Sequence, residues 1–290
     1  MREMPPDLPD DRRLVAALAG RGVEAPIVPW DREEVDWGSF AAVVIRSTWD
    51  YSRRRDRFLA WVEAIGDRLH NPPALVAWNS DKHYLADLRD AGLPVVDTRF
   101  VGPGDAVPRF DREMVVKPTI SAGGRDTGRF APAAAEAALA LVERIVDGGR
   151  VAMVQPFLDS VDSTGETAVV LIDGEVSHVL RKRAVLRPDE VAPIRDDALG
   201  AAEAMYDPEL VLPDSAEPDE LELAAAVVDA VRRRFGSTPL YARVDMLRAG
   251  AGAPVLLELE AVEPALYLNQ AEGAADRLAE AIVARITPGR

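Results

Sequence analysis

Apolar positions recur along this chain at two spacings. From Asp10 to Ala19 the stripe of Leu14, Val15 and Leu18 falls at helical intervals, with Asp10 and Asp11 to cap it and Gly20 and Gly22 to stop it. Residues 23–28 read as a strand, and residues 41–45 more clearly so. Phe58, Trp61, Val62 and Ile65 share one face of a helix expected over residues 53–65. Residues 75–78 read as a further short strand. This alternation predicts a parallel sheet flanked by helices. Such a domain ordinarily opens with a buried strand. Here a Pro-rich, acidic segment runs straight into a helix, so a domain with a shortened start, lacking its first strand, is expected.

Ser80 suits the N-cap of a helix that carries Tyr84, Leu85 and Leu88 and stops at Gly92. Strands are expected over 95–101, 114–117 and 151–155, with an Ala-rich helix over about 132–146. Two hairpins follow. Segments 167–172 and 176–183 flank Asp173-Gly174, a dipeptide that favours a type I′ turn, and segments 240–247 and 254–260 flank an Ala/Gly turn. Between them, 186–218 is rich in Pro and Asp and reads as an irregular excursion; helices are expected at about 219–235 and 273–286.

Composition removes several classes of function. The 290 residues include 34 Lys plus Arg and 49 Asp plus Glu, a formal net charge of −15. That balance does not suit a general nucleic-acid binder or a surface that adheres to anionic lipid. With no cysteine there is no disulfide, thiolate nucleophile, zinc–thiolate site or Fe–S cluster. No stretch approaches the roughly 20 apolar residues of a membrane span, and the N-terminus lacks the apolar core of a signal peptide. A soluble cytoplasmic protein is expected, without nucleic-acid or membrane partners.

Four segments carry chemistry. In the last hairpin, alternate residues share a face, so Arg243 and Asp245 point one way, as do Glu258 and Glu260, and a turn near Ala251 sets Asp245 almost opposite Glu258. Opposed carboxylates repel. A hard divalent cation would relieve that, although a solvated strand face reads the same way. Leu256, Leu257 and Leu259 place the acids near a core. The second segment is Val115-Val116-Lys117-Pro118 followed by a small loop through Ser121, Gly123 and Gly124, suited to a phosphate or simply to a turn. The third is Gln155-Pro156-Phe157-Leu158 at a strand end, with Asp162 and Glu166 beyond, which suits an adenine edge and ribose hydroxyls or an ordinary loop. The fourth is Arg181-Lys182-Arg183 on a hairpin strand, where Lys182 could face a polyphosphate or the cations could guard an exposed edge.

In this order the segments resemble the ATP-grasp superfamily over about residues 78–267. Arg46-Ser47-Thr48-Trp49-Asp50-Tyr51 and Trp78-Asn79-Ser80-Asp81-Lys82 are similar to the branch with cycloserine synthetase (the O-ureido-serine cyclo-ligase) and glutathione-synthetase-like carboxylate–amine ligases. The resemblance implies an ATP-grasp fold, α/β and α+β. An N-terminal parallel α/β substrate domain (1–78) would precede central (79–154) and C-terminal (155–290) lobes that clamp ATP. Lys82 and Lys117 resemble the family's phosphate-contacting lysines, and Ser121 to Gly124 its phosphate loop. Gln155, Phe157 and Leu158 match its adenine hinge, and either Asp162 or Glu166 its ribose acid. Lys182 is similar to a further phosphate-side lysine. Asp245, Glu258 and Glu260 match the acids for Mg²⁺, or Mn²⁺ as the alternative ion, and Arg243 the arginine for the tetrahedral intermediate. Glu260 departs from the Asn found in many members.

The resemblance implies an ATP-dependent ligase that forms a C–N bond through an acyl phosphate, joining a small amino-acid-like carboxylate to an amine or cyclising it. A non-catalytic ATP-binding homologue and a small-molecule kinase are the alternatives, and a homodimer is an assembly compatible with the sequence. Arg46, Asp50 and Tyr51 follow an apolar strand, where α/β sheets place ligands. They are candidates for the substrate, with Arg46 opposite a carboxylate or else in a structural ion pair. His70, His83 and His178 are scattered and receive no role.

Overall fold

The computed structural model describes residues 9–193, 201–202, 205, 207, 209–250 and 252–287. The N-terminal part contains α1 (Pro9–Ala19), β1 (Val43–Val44), α2 (Arg55–Ile65), β2 (Leu69–His70), α3 (Pro73–Asn79) and α4 (Tyr84–Asp90). β1 and β2 pair in parallel, the pairing expected for this region. Asp10 and Asp11 lie in the first turn of α1, where acids suit the helix dipole.

Three local expectations fail here for physical reasons. Residues 23–28 join no sheet among the described residues, and Pro26 within them has no N–H to give a ladder. Residues 75–78 belong to helix α3, which starts with Pro73 at a position that tolerates the missing donor. A short apolar run is ambiguous between strand and helix, and here Leu75 and Val76 are buried on a helical face. Ser80 closes α3 instead of capping the following helix; its backbone N–H bonds the Val76 carbonyl.

The central part contains β3 (Arg99–Val101), β4 (Met114–Pro118), β5 (Gly128–Phe130), α5 (Ala135–Asp147) and β6 (Ala152–Pro156). The C-terminal part contains α6 (Ser160–Ser163), β7 (Glu166–Ile172), β8 (Glu175–Lys182), β9 (Glu190–Val191), β10 (Val211–Asp214), α7 (Pro218–Phe235), β11 (Tyr241–Ala249), β12 (Ala253–Glu260) and α8 (Ala274–Ile286). Two antiparallel sheets result, ordered β3-β6-β4-β5-β9 and β10-β8-β7-β11-β12. The segment read as an irregular excursion thus donates an edge strand to each sheet. The Asp173-Gly174 turn forms as its sequence predicts, with φ of 52° and 87° at its two residues. Among the described residues, no helix is long and apolar enough to cross a membrane.

One junction positions the site. Buried Asn71 donates to the carbonyls of Tyr241 (2.9 Å) and Ala261 (2.7 Å) and accepts from the Leu240 N–H (2.7 Å). Asn79 donates to the Leu259 carbonyl (2.8 Å) and accepts from the Ala261 N–H (2.7 Å), while the Tyr84 hydroxyl accepts from the Leu259 N–H (3.0 Å). Three side chains from the N-terminal half thereby fix the end of β12. The Tyr241 hydroxyl, 2.6 Å from the Ile45 carbonyl, ties β11 to the end of β1.

Replacing Asn71 by Leu keeps the volume and strands one N–H and two carbonyls in the core. A loss of about 2–4 kcal/mol of stability is expected, measured from the urea midpoint at unchanged m.

Candidate active site

The hairpin of β11 and β12 has the register that its sequence implies. Arg243 pairs with Glu260 and Asp245 with Glu258, and a bulge follows Asp245. Leu256 and Leu259 are buried beneath, so the acids sit at a core margin and not on a solvated face. Asp245 is 1% exposed and Arg243 4%. Charges this deep need partners.

Cations from four elements supply them. The Arg243 guanidinium grips Asp245 with two nitrogens, Nε at 2.8 Å and Nη2 at 2.9 Å. It also bonds Glu260 and donates through Nη1 to the Ala265 carbonyl at 2.8 Å. Lys182, at the end of β8, lies 2.9 Å from Asp245 and 2.8 Å from Glu166. Lys82, in the turn before α4, lies 3.0 Å from Glu258, and Lys117 on β4 lies 3.9 Å from the same carboxylate. Lys82 also donates to the Ser121 carbonyl at 3.3 Å, which links the lysine to the glycine loop.

The titration shifts follow this arrangement. Burial would raise the Glu258 carboxyl, but Lys82 and Lys117 outweigh it and pull the group down to about 2. Burial opposes ionisation of Asp245 too, and Arg243 with Lys182 hold it below the usual carboxylate range. Lys182 is raised despite burial, because Asp245 and Glu166 favour its charge. Lys117 is lowered by burial, with Glu258 only partly offsetting it. Glu260 is raised by burial, Arg243 notwithstanding.

The other expected residues lie around this centre. In the loop after β4, Gly123 and Gly124 have φ of 67° and 72°, and the Ala202 N–H bonds the Gly123 carbonyl at 2.7 Å. Ser121 is half-buried beside them. At the end of β6, buried Gln155 donates to the Thr98 hydroxyl (2.9 Å), while Phe157 and Leu158 are half-buried. The Arg129 guanidinium stacks 3.4 Å from the Phe157 ring centre and pairs with Asp162 at 2.8 Å. Both candidate ribose acids therefore have a cation: Asp162 has Arg129 and Glu166 has Lys182.

Among the substrate candidates, Arg46 lies 3.6 Å from Asp11 and over the Tyr241 ring. Asp50 accepts from Trp30 (3.1 Å) and Arg54 (2.5 Å), which suits a structural role. Tyr51 is buried against Phe58, yet it feels the cluster: burial and the charges of Glu263, Glu258 and Glu260 raise its hydroxyl well above the ordinary value.

Glu263 escaped the sequence reading. It follows β12 with the spacing Glu258-x-Glu260-x-x-Glu263, and that run of acids was the available signal. Trp49 donates to its backbone carbonyl at 3.1 Å. Burial and the neighbouring Glu260 push its carboxyl up to about 8. Glu263 thus links Trp49 of segment 46–51, through its backbone, to the end of the acidic hairpin.

Comparison with known proteins gives consistent findings. The family model described as the N-terminal domain of D-cycloserine synthetase DcsG matches residues 1–71. Cycloserine biosynthesis protein DcsG of Streptomyces lavendulae is 36% identical over 300 residues, covering 99% of this chain and 94% of that protein. The crystal structure of D-cycloserine synthetase DcsG matches with a TM-score of 0.86 at 35% identity, over 97% of this chain and 96% of that one. The ATP-grasp ligase PsnB in complex with a minimal precursor shares the fold, with a TM-score of 0.63 at 24% identity over 97% of both chains.

Glu263 gives the unliganded protein a distinct pH dependence. Its folded pKa of about 8 exceeds the ordinary 4.5, so between those values the folded state holds a proton that the unfolded state has released. Stability from this group therefore falls as pH rises through that window. Glu263→Gln is expected to shrink the difference between the melting temperatures at pH 5 and pH 8.

Proposed function

This chain belongs to the D-cycloserine synthetase family of ATP-grasp ligases, and we propose that its charged cluster holds Mg-ATP against the carboxylate of an amino-acid substrate. The protein is an ATP-dependent ligase acting on a small amino-acid-like substrate. Cycloserine is a ring closed by a C–N bond, so the family supports the cyclising mode over the joining of two molecules.

The observation that carries the assignment is the convergence of Lys82, Lys117, Lys182 and Arg243 on one acidic hairpin. In this reading Lys82 and Lys117 take phosphate oxygens, and the loop of Ser121, Gly123 and Gly124 covers them. Gln155, Phe157 and Leu158 border adenine. Glu166, at the start of β7, is the better ribose acid, because it is partly buried and paired with Lys182, whereas Asp162 is half-exposed and paired with Arg129.

The donor set fits a hard cation: Asp245 and Glu258 at paired strand positions, and Glu260 on the same strand as Glu258, offer only carboxylate oxygens. Among the described residues, no three acidic or His side chains are gathered on one point. Each of these carboxylates is turned onto a cation and would exchange that partner for the metal. Mg²⁺ held there would neutralise the phosphate oxygens, and Mn²⁺ has the same ligand preference.

The reaction then needs no protein nucleophile. The substrate carboxylate attacks the γ-phosphorus, and ADP leaves with an acyl phosphate formed. The substrate's own nitrogen attacks the acyl carbon, and phosphate departs. The lysines neutralise the transferring phosphoryl group. Arg243, freed from Asp245 by the metal and still donating to the Ala265 carbonyl, presents its remaining donors to the developing oxyanion. Arg46 faces the substrate carboxylate, and the Glu263 carboxyl takes up or releases the proton of the attacking nitrogen.

ADP release should rise when O-ureidoserine or a related amino-acid analogue is added with Mg-ATP, and mass spectrometry should find a cyclised product. A stable phosphorylated product would mean a kinase instead, and no stimulation by any carboxylate would end the ligase reading. Asp245→Asn with Glu258→Gln should lower turnover by roughly 100-fold or more, with the Mg²⁺ concentration for half-activity raised. Unchanged turnover would remove these acids from the metal site.

A further inference from the structure

The segment that follows β12 crosses one face of its sheet, from the β12 edge to the β10 edge. Its main chain is pinned along the way. The Tyr241 hydroxyl bonds the Val262 carbonyl (2.9 Å), Arg243 Nη1 the Ala265 carbonyl (2.8 Å) and His178 Nε2 the Leu266 carbonyl (2.8 Å). Asp10 of α1 accepts from the Leu268 N–H at 2.6 Å, and the Gln270 side chain donates to the Val211 carbonyl of β10 at 3.2 Å.

His178 has a task here that its place in the sequence does not reveal. A carbonyl only accepts, so Nε2 carries the proton. Nδ1 then accepts from the Ser177 hydroxyl at 2.9 Å, and Arg277 fixes that hydroxyl at 3.1 Å. Burial lowers the pKa of the imidazole and favours this neutral tautomer.

The pinning converges on Tyr267. Leu266 and Leu268, on either side, are buried in the core that Val170 and Leu278 share. Tyr267 has φ of 51°. The other three non-glycine residues with positive φ among the described residues are aspartates, which tolerate left-handed backbone. A bulky side chain there is an outlier that persists only where its surroundings over-determine it, and such residues cluster at functional sites. The half-buried ring lies against Arg243, whose Cζ is 6.0 Å from the ring centre. Burial raises the hydroxyl above the ordinary phenol range, and the charges that act on it are those of the candidate site: Arg243, Lys182, Glu260 and Asp245. A packing role alone would need neither a hydroxyl nor this backbone, since the flanking leucines already fill the core.

We propose that Tyr267 is a further catalytic residue: beside Arg243 it borders the acyl carbon of the substrate, and its hydroxyl donates to the oxygen of that carbon as the nitrogen attacks. This role rests on the ligase reading. The nitrogen lone pair forms the C–N bond and the carbonyl π pair moves onto oxygen. When that pair returns, the bond to phosphate breaks and phosphate leaves, while the nitrogen gives its proton to the Glu263 carboxylate. The phenol keeps its own proton and adds a neutral donor to the charged one of Arg243. Both are referred to one segment, Arg243 through the Ala265 carbonyl and Tyr267 two residues further on, so their donors keep a common aim.

The test compares the unmodified chain with Tyr267→Phe, which removes only the hydroxyl. Rapid-quench single turnovers with Mg-ATP and O-ureidoserine resolve the two steps. ADP formation should stay within about two-fold of the unmodified rate, and formation of the cyclised product should slow by roughly 10- to 100-fold. In calorimetry, an aminoalkylphosphinate, tetrahedral at phosphorus, should bind Tyr267→Phe about 10-fold more weakly, with O-ureidoserine bound equally by both forms. Unchanged product formation and phosphinate binding would overturn the proposal. So would equal slowing of both steps, which would make Tyr267 a support of the site as a whole. An unmodified chain that forms no ADP with O-ureidoserine would overturn the ligase reading and this role with it, and only that outcome touches the reading itself.

Discussion

Two carboxylates placed across from each other on neighbouring strands repel, and Asp245 and Glu258 are placed so, Asp245 fully buried and Glu258 partly so. The pairing survives only because Arg243, Lys182, Lys82 and Lys117 reach it from β11, β8, the turn before α4 and β4. Arg243 belongs to the hairpin, but the three lysines arrive from different parts of the chain, so the electrostatic need of one hairpin becomes a constraint on how the whole molecule closes. Removing one member of such a buried set strands the others, a loss that commonly exceeds the net worth of the pair.

The neutral contacts serve the same end. Asn71, Asn79 and Tyr84 saturate the main chain at the end of β12, where Glu258 and Glu260 emerge. These side chains set the position of the acids before any ligand is present. Preorganisation of that kind is what a phosphoryl-transfer site requires, since its chemistry is mainly placement and charge neutralisation. The overall charge of −15 obscured this. In the proposed reading the ligand preference follows from the four cations gathered on the hairpin and not from the net charge.

The C-terminal half was legible because its signals are short-range. Asp173-Gly174 demands one turn type, and alternation along β11 and β12 fixes which residues share a face. The pairing of Asp245 with Glu258 followed from that alone. The N-terminal part was harder to read. Residues 75–78 form a helix because Pro73 and the packing of Leu75 and Val76 decide between two states that the apolar run leaves open. Residues 23–28 have strand-like side chains and pair with no strand among the described residues. Within the site, the lysines were found by their order along the chain, whereas the raised carboxyl of Glu263 depends on burial beside Glu260, which no spacing reveals. Likewise the stacking of Arg129 on Phe157 joins residues whose proximity appears only in three dimensions.

The central claim is that the acidic hairpin trades its cation partners for a metal and a nucleotide. Anomalous diffraction from crystals soaked with Mn²⁺ and a non-hydrolysable ATP analogue tests it most directly. The account predicts a manganese peak bonded by Asp245, Glu258 and Glu260, with Lys82, Lys117 and Lys182 on phosphate oxygens. A peak elsewhere, with Asp245 still held by Arg243 and Lys182 and Glu258 still held by Lys82, would contradict it.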